Sequence, residues 1–357
     1  MQKFSGKNWR CGQQKKYNFM NSPRKYTETT PKNILVTGGG GFLGSAIVKL
    51  LINRGDRVTS FSRGFYPELA ALGVEQLQGD IGNKQQVLFA CKNRDLVFHV
   101  AAKAGIWGKY DDYYRTNVMG TQNIISACKS NAIPSLVYTS SPAVVFNGKD
   151  MEGINESAPY ADRFHSHYAK TKALAEQAVV GASDKGLNTI TLRPHLIWGP
   201  GDNHLVPRII SRARSLYKVG TGENLVDTTY IDNAAEAHLL AADRLIRNPA
   251  LSGRVYFISQ GEPVLLWDMI NHILKAAGLD PVTRSIPKAV AWWTGLVLET
   301  VYTILHISTE PKMTRFLSEE LSTSHWFDIS AAKKDLKYIP RVTTEEGLKH
   351  LEAWLKQ

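Results

Sequence analysis

Cysteine is scarce in this sequence: only Cys11, Cys91 and Cys128 occur in 357 residues. An odd number at wide spacing excludes a disulfide framework and a zinc site built on paired thiolates, and makes a reducing compartment the default. Long apolar runs are also missing. The longest largely apolar stretch, residues 289–305, has 17 residues and contains Glu299, short of the roughly 20 that a spanning helix needs. Repeats and low-complexity tracts are absent, and residues 1–32 hold no apolar run of the kind a secretory signal carries. Acidic charge falls behind basic charge, 32 against 43 residues, for a net +11. That excess suggests nucleic acid until it is located. Residues 1–33 carry eight Lys/Arg against Glu28 alone, whereas the rest of the chain carries 35 basic and 31 acidic residues. The charge therefore sits in a polar, lysine-rich tail, which is expected to be disordered and fits a mitochondrial presequence poorly. Met20 stands beside Met1 as a second candidate start, a choice the residues leave open. A composition of 43% hydrophobic and 21% charged residues excludes a disordered or fibrous body and suits a soluble globular one.

What is present is an alternation of strands and helices. Ile34-Leu35-Val36 is a short apolar run that breaks into Thr37-Gly38-Gly39-Gly40-Gly41, after which Phe42, Leu43, Ala46, Ile47, Leu50 and Leu51 recur at helical spacing. Further strands are expected at 57–61, 74–77, 96–100, 135–139 and 187–192, with helices such as 116–130 and 168–180 between them. Nearly all-apolar strands separated in this way predict an α/β fold, a doubly wound parallel Rossmann sheet with helices on both faces. Past residue 195 the pattern loosens, with helices expected at 205–217 and 232–247 and a short strand at 256–258. The expected organisation is a basic tail (1–32), a core built on that sheet (33–194) and a mixed remainder (195–357). In that remainder 226–258 return to the core, while 195–225 and 260–340 form a smaller, mainly helical substrate-covering part. Residues 289–305 place Gly295, Glu299, Thr303 and His306 along one narrow stripe of an otherwise apolar helix. Such a helix is expected to lie mostly buried over a greasy pocket, with a membrane surface as the alternative.

The most specific local signal is Thr37-Gly38-Gly39-Gly40-Gly41-Phe42-Leu43-Gly44 at the first strand-to-helix turn. Gly38 permits the tight turn, Gly41 lets the backbone approach a pyrophosphate at the positive helix N-terminus, and Gly44 lets helix and strand pack closely. The end of the second strand selects the cofactor. An acid there would bind a ribose 2′-hydroxyl and repel a 2′-phosphate. Here the strand ends in Ser62-Arg63, where Ser62 can donate to a phosphate and Arg63 can pair with it, so NADP(H) is predicted. Asp80-Ile81, after the third strand, are placed to meet the adenine ring, and a helix N-cap is the other role open to Asp80.

Tyr168-Ala169-Lys170-Thr171-Lys172 puts a phenol and an ammonium four residues apart, on one helix face. A free phenol, with a pKa near about 10, is a poor acid at neutral pH, and a neighbouring ammonium lowers it. Lys172 can supply that charge and also hold a nicotinamide ribose. Ser140-Ser141 follows the fifth strand directly, where a hydroxyl can hydrogen-bond a substrate oxygen beside the tyrosine.

Together these features resemble the extended short-chain dehydrogenase/reductase superfamily, from Asn33 to at least Asp232. Further marks are His99-Val100-Ala101-Ala102, Asn117-Val118-Met119-Gly120-Thr121, Leu192-Arg193-Pro194 and Tyr230-Ile231-Asp232. The resemblance implies a catalytic triad of Ser141, Tyr168 and Lys172, with Asn117 ordering the site. It also puts Phe42, Leu43, Ala101, Pro194 and His195 beside the cofactor. Val145-Phe146 stands where many sugar-nucleotide members have Val-Tyr-Gly, which weakens that reading. Tyr138-Thr139-Ser140-Ser141 and the apolar C-terminal helix look most like the 3β-hydroxysteroid dehydrogenase branch. Closer still is the similarity to the bacterial 2-alkyl-3-oxoalkanoate reductases of long-chain olefin biosynthesis, carried by residues 102–108, 196–202, 227–233 and 311–317.

This similarity implies NADPH-dependent reduction of the 3-keto group of a long-chain 2-alkyl-3-oxo acid. It further implies a homo-oligomer in a cytoplasmic assembly with the β-lactone-forming ligase and the following decarboxylating enzyme, with peripheral membrane contact open. Trp107, Trp198 and the 289–305 helix are candidate pocket walls. Lys103, His195 and Arg208 are candidates for the substrate carboxylate. Neither a metal nor a nucleic-acid partner is expected. The rivals are an NAD-dependent 3β-hydroxysteroid or sterol dehydrogenase, a sugar-nucleotide enzyme, and a non-catalytic NADP-sensing module, which would keep the glycine loop and lose the Tyr/Lys pair.

Overall fold

The computed structural model describes residues 30–183 and 186–357. Most of the basic tail, with Cys11 and Met20, lies outside them. Its last residue is bound to the core, Lys32 donating its N–H to Asp56 Oδ1 at 3.1 Å and accepting from the Arg57 amide at 2.9 Å.

Seven parallel strands form the central sheet: β1 (Asn33–Thr37), β2 (Arg57–Ser62), β3 (Glu75–Gln78), β4 (Leu96–His99), β5 (Ser135–Thr139), β6 (Asn188–Pro194) and β7 (Arg254–Ile258), in the order β7-β6-β5-β4-β1-β2-β3. Ile34 pairs with Val58 on one side and Leu96 on the other. Successive β1 side chains alternate between two cores. Ile34 and Val36 pack with the helices Phe42–Arg54 and Ile231–Arg247, and Leu35 packs with Gly120–Ser130 and His167–Val180. Burial on both faces is why these strands read as apolar runs. The chain leaves β1 toward β2 on one side and reaches β4 on the other, so a crevice opens above their carboxyl ends. The expected fold class is borne out. β7 forms the sheet edge beside β6, where Tyr256 pairs with Leu192.

A second, four-stranded sheet runs Val264–Leu265, Leu225–Val226, His325–Phe327, Met151–Ile154. Met151–Ile154 was not expected as a strand. Its sequence, Met-Glu-Gly-Ile, has little β character, and the strand exists because His325–Phe327 pairs with it from far along the chain.

The helix Lys288–Ile304 corrects an expectation. Only Ala291 and Gly295 are buried in it, and Val290, Trp293, Val297, Val301 and Ile304 form an exposed apolar seam at i, i+3, i+7, i+11, i+14. The half of its polar stripe formed by Gly295 and Glu299 is what faces inward, while Thr303 and His306 are exposed. Gly295 meets the Thr314–Arg315 backbone so closely that a Cβ would lie 2.5 Å from the Thr314 carbonyl carbon. Glu299 accepts from the Arg315 amide and Nε, both at 2.7 Å, placing a carboxylate at the N-terminus of the helix Arg315–Glu320. A backbone crossing that requires glycine and a carboxylate cap decide which side turns in. Among the described residues no helix is long and apolar enough to cross a membrane.

Candidate active site

A cavity of about 1020 Å³ is lined by the residues that follow β1, β2, β4, β5 and β6. At one end stands the glycine turn. Gly38 adopts φ +70° and a Cβ there would lie 3.0 Å from Ala101 Cα, while a Cβ on Gly44 would lie 2.1 Å from the Gly38 carbonyl oxygen. Gly41 precedes the helix Phe42–Arg54 in extended conformation and no side chain caps that helix. Its first amides thus face a cradle that side chains would fill, and this fits a dinucleotide pyrophosphate. Gly41, Phe42 and Leu43 line the same space.

Ser62 and Arg63 stand at the cavity mouth. Arg63 is exposed, and its guanidinium pairs with no carboxylate among the described residues. Tyr66, which the sequence did not single out, lies over the loop, its ring 2.2 Å from where a Gly40 Cβ would be, and Gln76 fixes it through both backbone groups. Ile81 lines the wall beside Asp80. Asp80 is held by Arg115 at 2.7 Å and by the Gly82 amide at 2.8 Å. The N-cap role left open for it belongs to Asn83, which accepts from the Gln85 and Gln86 amides.

Ser141, Tyr168 and Lys172 meet in this cavity. Ser166 caps the helix His167–Val180 through the Ala169 amide at 3.1 Å, fixing the first turn that carries Tyr168. The Ser141 hydroxyl lowers the Tyr168 phenol, and burial nonetheless raises that phenol above its ordinary value. Lys172 Nζ donates to Tyr138 OH at 2.7 Å and to the Thr139 carbonyl at 2.5 Å. Burial lowers its ammonium to about 7, opposed by the Glu176 charge. The expected lowering of Tyr168 by Lys172 is not what operates here. The ammonium is engaged on the β5 side, and Ser141 is the group that opposes burial at the phenol.

Asn117 does not line the cavity. It sits in the π-helical turn Tyr114–Met119, accepts from the Lys103 amide at 2.7 Å and donates to the Lys103 carbonyl and Thr171 Oγ1. It thereby ties the wall at Ala101–Lys103 to the helix that carries Tyr168 and Lys172. Pro194 and His195 line the cavity after β6. His195 is neutral: burial holds its imidazole well below the ordinary value, His325 opposes the charge, and the two rings approach at 3.2 Å.

The far end is apolar, with Ile209, Leu266, Met269, Ile270 and Phe316 among its walls. Trp198 contributes, its ring edge-on to Tyr230 at 5.4 Å. Trp107 does not. Its indole donates to the Ile307 carbonyl at 3.2 Å and packs edge-on to Tyr302, so it fastens a loop to the outer helix. Residues 289–305 are absent from the walls too; they lie behind Arg315–Glu320, the segment that supplies Phe316, Leu317 and Glu320.

The profile of the 3-beta hydroxysteroid dehydrogenase/isomerase family matches residues 35–288. A 2-alkyl-3-oxoalkanoate reductase of Shewanella oneidensis is 52% identical over 330 residues, covering 90% of this chain and 85% of its own. The sterol-4-alpha-carboxylate 3-dehydrogenase, decarboxylating, of Mus musculus is 34% identical and covers 89% of each chain. Among solved structures, MoeE5 in complex with UDP-glucose and NAD superposes with a TM-score of 0.70 at 25% identity, over 91% of this chain and 98% of that one.

Proposed function

The chain belongs to the 3-beta hydroxysteroid dehydrogenase/isomerase family, is a nicotinamide-dependent oxidoreductase of the CH–OH/C=O pair, and on that premise we propose that it uses NADPH to reduce the 3-keto group of a long-chain 2-alkyl-3-oxoalkanoate to the 2-alkyl-3-hydroxyalkanoate. The observation that carries this reading is one cavity that holds the glycine cradle, the Ser141/Tyr168/Lys172 group and a broad apolar end. When bound, the nicotinamide supplies the hydride that adds to the carbonyl carbon. Tyr168 gives its proton to the carbonyl oxygen. A phenol raised by burial keeps that proton through neutral pH and releases it as the oxygen gains charge. Ser141 donates to the same oxygen, a placement typically worth about 3 kcal/mol at the transition state. The apolar walls take the alkyl chains, at about 0.8 kcal/mol for each buried methylene.

Ser62 and Arg63, whose guanidinium pairs with no carboxylate among the described residues, support NADP over NAD, because a 2′-phosphate there would meet a hydroxyl and a guanidinium. A sterol reading is favoured by the relative at 34% identity. The printed names of both relatives place a carboxylate on the carbon next to the oxygenated one, so the two readings share one local chemistry and differ in the hydrocarbon attached. Assembly with a β-lactone-forming ligase and a decarboxylating enzyme in the cytoplasm belongs to the olefin reading. The outward seam of Lys288–Ile304 supports peripheral association with a lipid surface. The test is cofactor oxidation with 2-alkyl-3-oxo acids of graded chain length, with steroid 3-ketones as controls, run with NADPH and with NADH. The proposal expects turnover that rises with chain length and prefers NADPH. Turnover of steroid ketones alone, or a preference for NADH, would overturn it.

A further inference from the structure

Of the three basic side chains that the sequence offers to a substrate carboxylate, each stands in a different setting. His195 is buried and neutral against His325. Lys103 lies 3.7 Å from Asp112 and over the Tyr113 ring. Arg208 is different, because the sequence hid its companion. Arg208 and Arg212, one turn apart on the helix Leu205–Arg212, both line the cavity and both lean on the same oxygen of Glu310, at 2.6 and 2.8 Å. Two guanidiniums on one carboxylate leave one positive charge over. The Arg208 contact to Glu310 is also out of line for a hydrogen bond: its buried Nη2 has a counter-charge and no acceptor for its protons.

The acidic groups of the wall are accounted for. Asp202 accepts three backbone amides, from His204, Leu205 and Val206. Asp80 is paired with Arg115, and Asp112 stands by Lys103. The Glu320 carboxyl is raised to about 7 by burial. The arginine pair lines the same cavity as Ser141 and Tyr168.

We propose that Arg208 and Arg212 form the subsite for the carboxylate of a 3-oxo acid, setting the preference for acids over neutral ketones. This rests on the reading of the chain as a 3-oxo acid reductase. A planar guanidinium offers parallel donors to a carboxylate, and a cation held on that group opposes its departure as neutral CO₂, so the same pair protects the substrate until its ketone is reduced.

The experiment compares a 2-alkyl-3-oxo acid with its methyl ester in wild type, Arg208→Gln and Arg212→Gln. The acid-to-ester ratio of kcat/KM is expected to fall at least tenfold in each variant. A ratio within a factor of two of wild type in both variants overturns the subsite, and so does a proportional loss on acid and ester. The same comparison is made at equilibrium, by thermal shift with the 2-alkyl-3-hydroxy acid and its methyl ester. Wild type is expected to favour the acid, and Arg208→Gln to abolish the difference. Should wild type turn over neither ketone, the reductase reading fails alone: an acid preference in binding that Arg208→Gln removes still upholds the subsite, and equal binding of acid and ester rejects it.

Discussion

At the scale of single residues, the Tyr168 phenol is pulled two ways: burial raises it and the Ser141 hydroxyl lowers it. Reduction uses the protonated phenol, so its rate falls as pH rises through that group's value. Ser141→Ala removes an influence that lowers the phenol, and the alkaline limb of kcat against pH therefore moves upward. The same change removes a donor to the developing oxyanion, so kcat at neutral pH falls by about 10²–10³. A pH–rate profile at saturating substrate reads both effects, and a limb that stays put with kcat unchanged would separate Ser141 from the phenol. The glycine turn, the Ser141/Tyr168/Lys172 group and Arg63 were legible because each is a short pattern beside a recognisable strand or helix. Tyr66 was not, since an aromatic four residues past a strand carries no mark until Gln76 fixes it over Gly40. The direction in which Lys172 points was hidden as well, because it depends on Tyr138 across the sheet.

Between elements, the clamp that holds the catalytic helix to the sheet is a buried ion pair. Arg193 on β6 meets Glu176 on His167–Val180 through Nε at 3.1 and 3.2 Å and through Nη2 at 2.5 Å, and Tyr160 OH donates to the same carboxylate at 2.9 Å. Both charged side chains are almost wholly enclosed. Removing one partner leaves the other charged and dry, so Glu176→Gln should cost about 3–5 kcal/mol of stability, measured by denaturant unfolding. A loss under about 1 kcal/mol would mean that the pair is not what joins helix to sheet. Alternation of apolar strands and helices made these elements readable one by one. Their mutual placement was less so. The stripe of Gly295 and Glu299 was visible, yet its side was set by the Thr314–Arg315 backbone, and Met151–Ile154 became a strand through a partner that no local pattern announces.

Over the whole molecule, buried carboxyls make stability depend on pH. Asp227, fully buried beside the second sheet, accepts from the Phe327 amide at 2.8 Å, while its Oδ1 has no hydrogen-bond partner among the described residues. Burial raises it from 3.8 to about 6. The folded state therefore binds more protons than the unfolded one between these values. The stability this group contributes is present in full below the lower value and is lost as pH rises through the upper one, about 3 kcal/mol in all. Asp227→Asn should flatten that decline and unfold at a higher temperature than wild type at pH 7.5, while the two converge near pH 4. A variant less stable than wild type at pH 7.5 would reverse the sign of the argument. At this scale the chain joins a sheet legible strand by strand to an apolar end assembled from distant segments, and the proposed hydride transfer lies where they meet. The most direct measurement is isotopic: NADPH deuterated at C4 of its nicotinamide is supplied with a 2-alkyl-3-oxo acid, and the product is examined by mass spectrometry. One deuterium at C3 of the 2-alkyl-3-hydroxy acid, formed by wild type and nearly abolished in Tyr168→Phe, is the predicted result; a product without label at C3, or undiminished labelling in Tyr168→Phe, contradicts it.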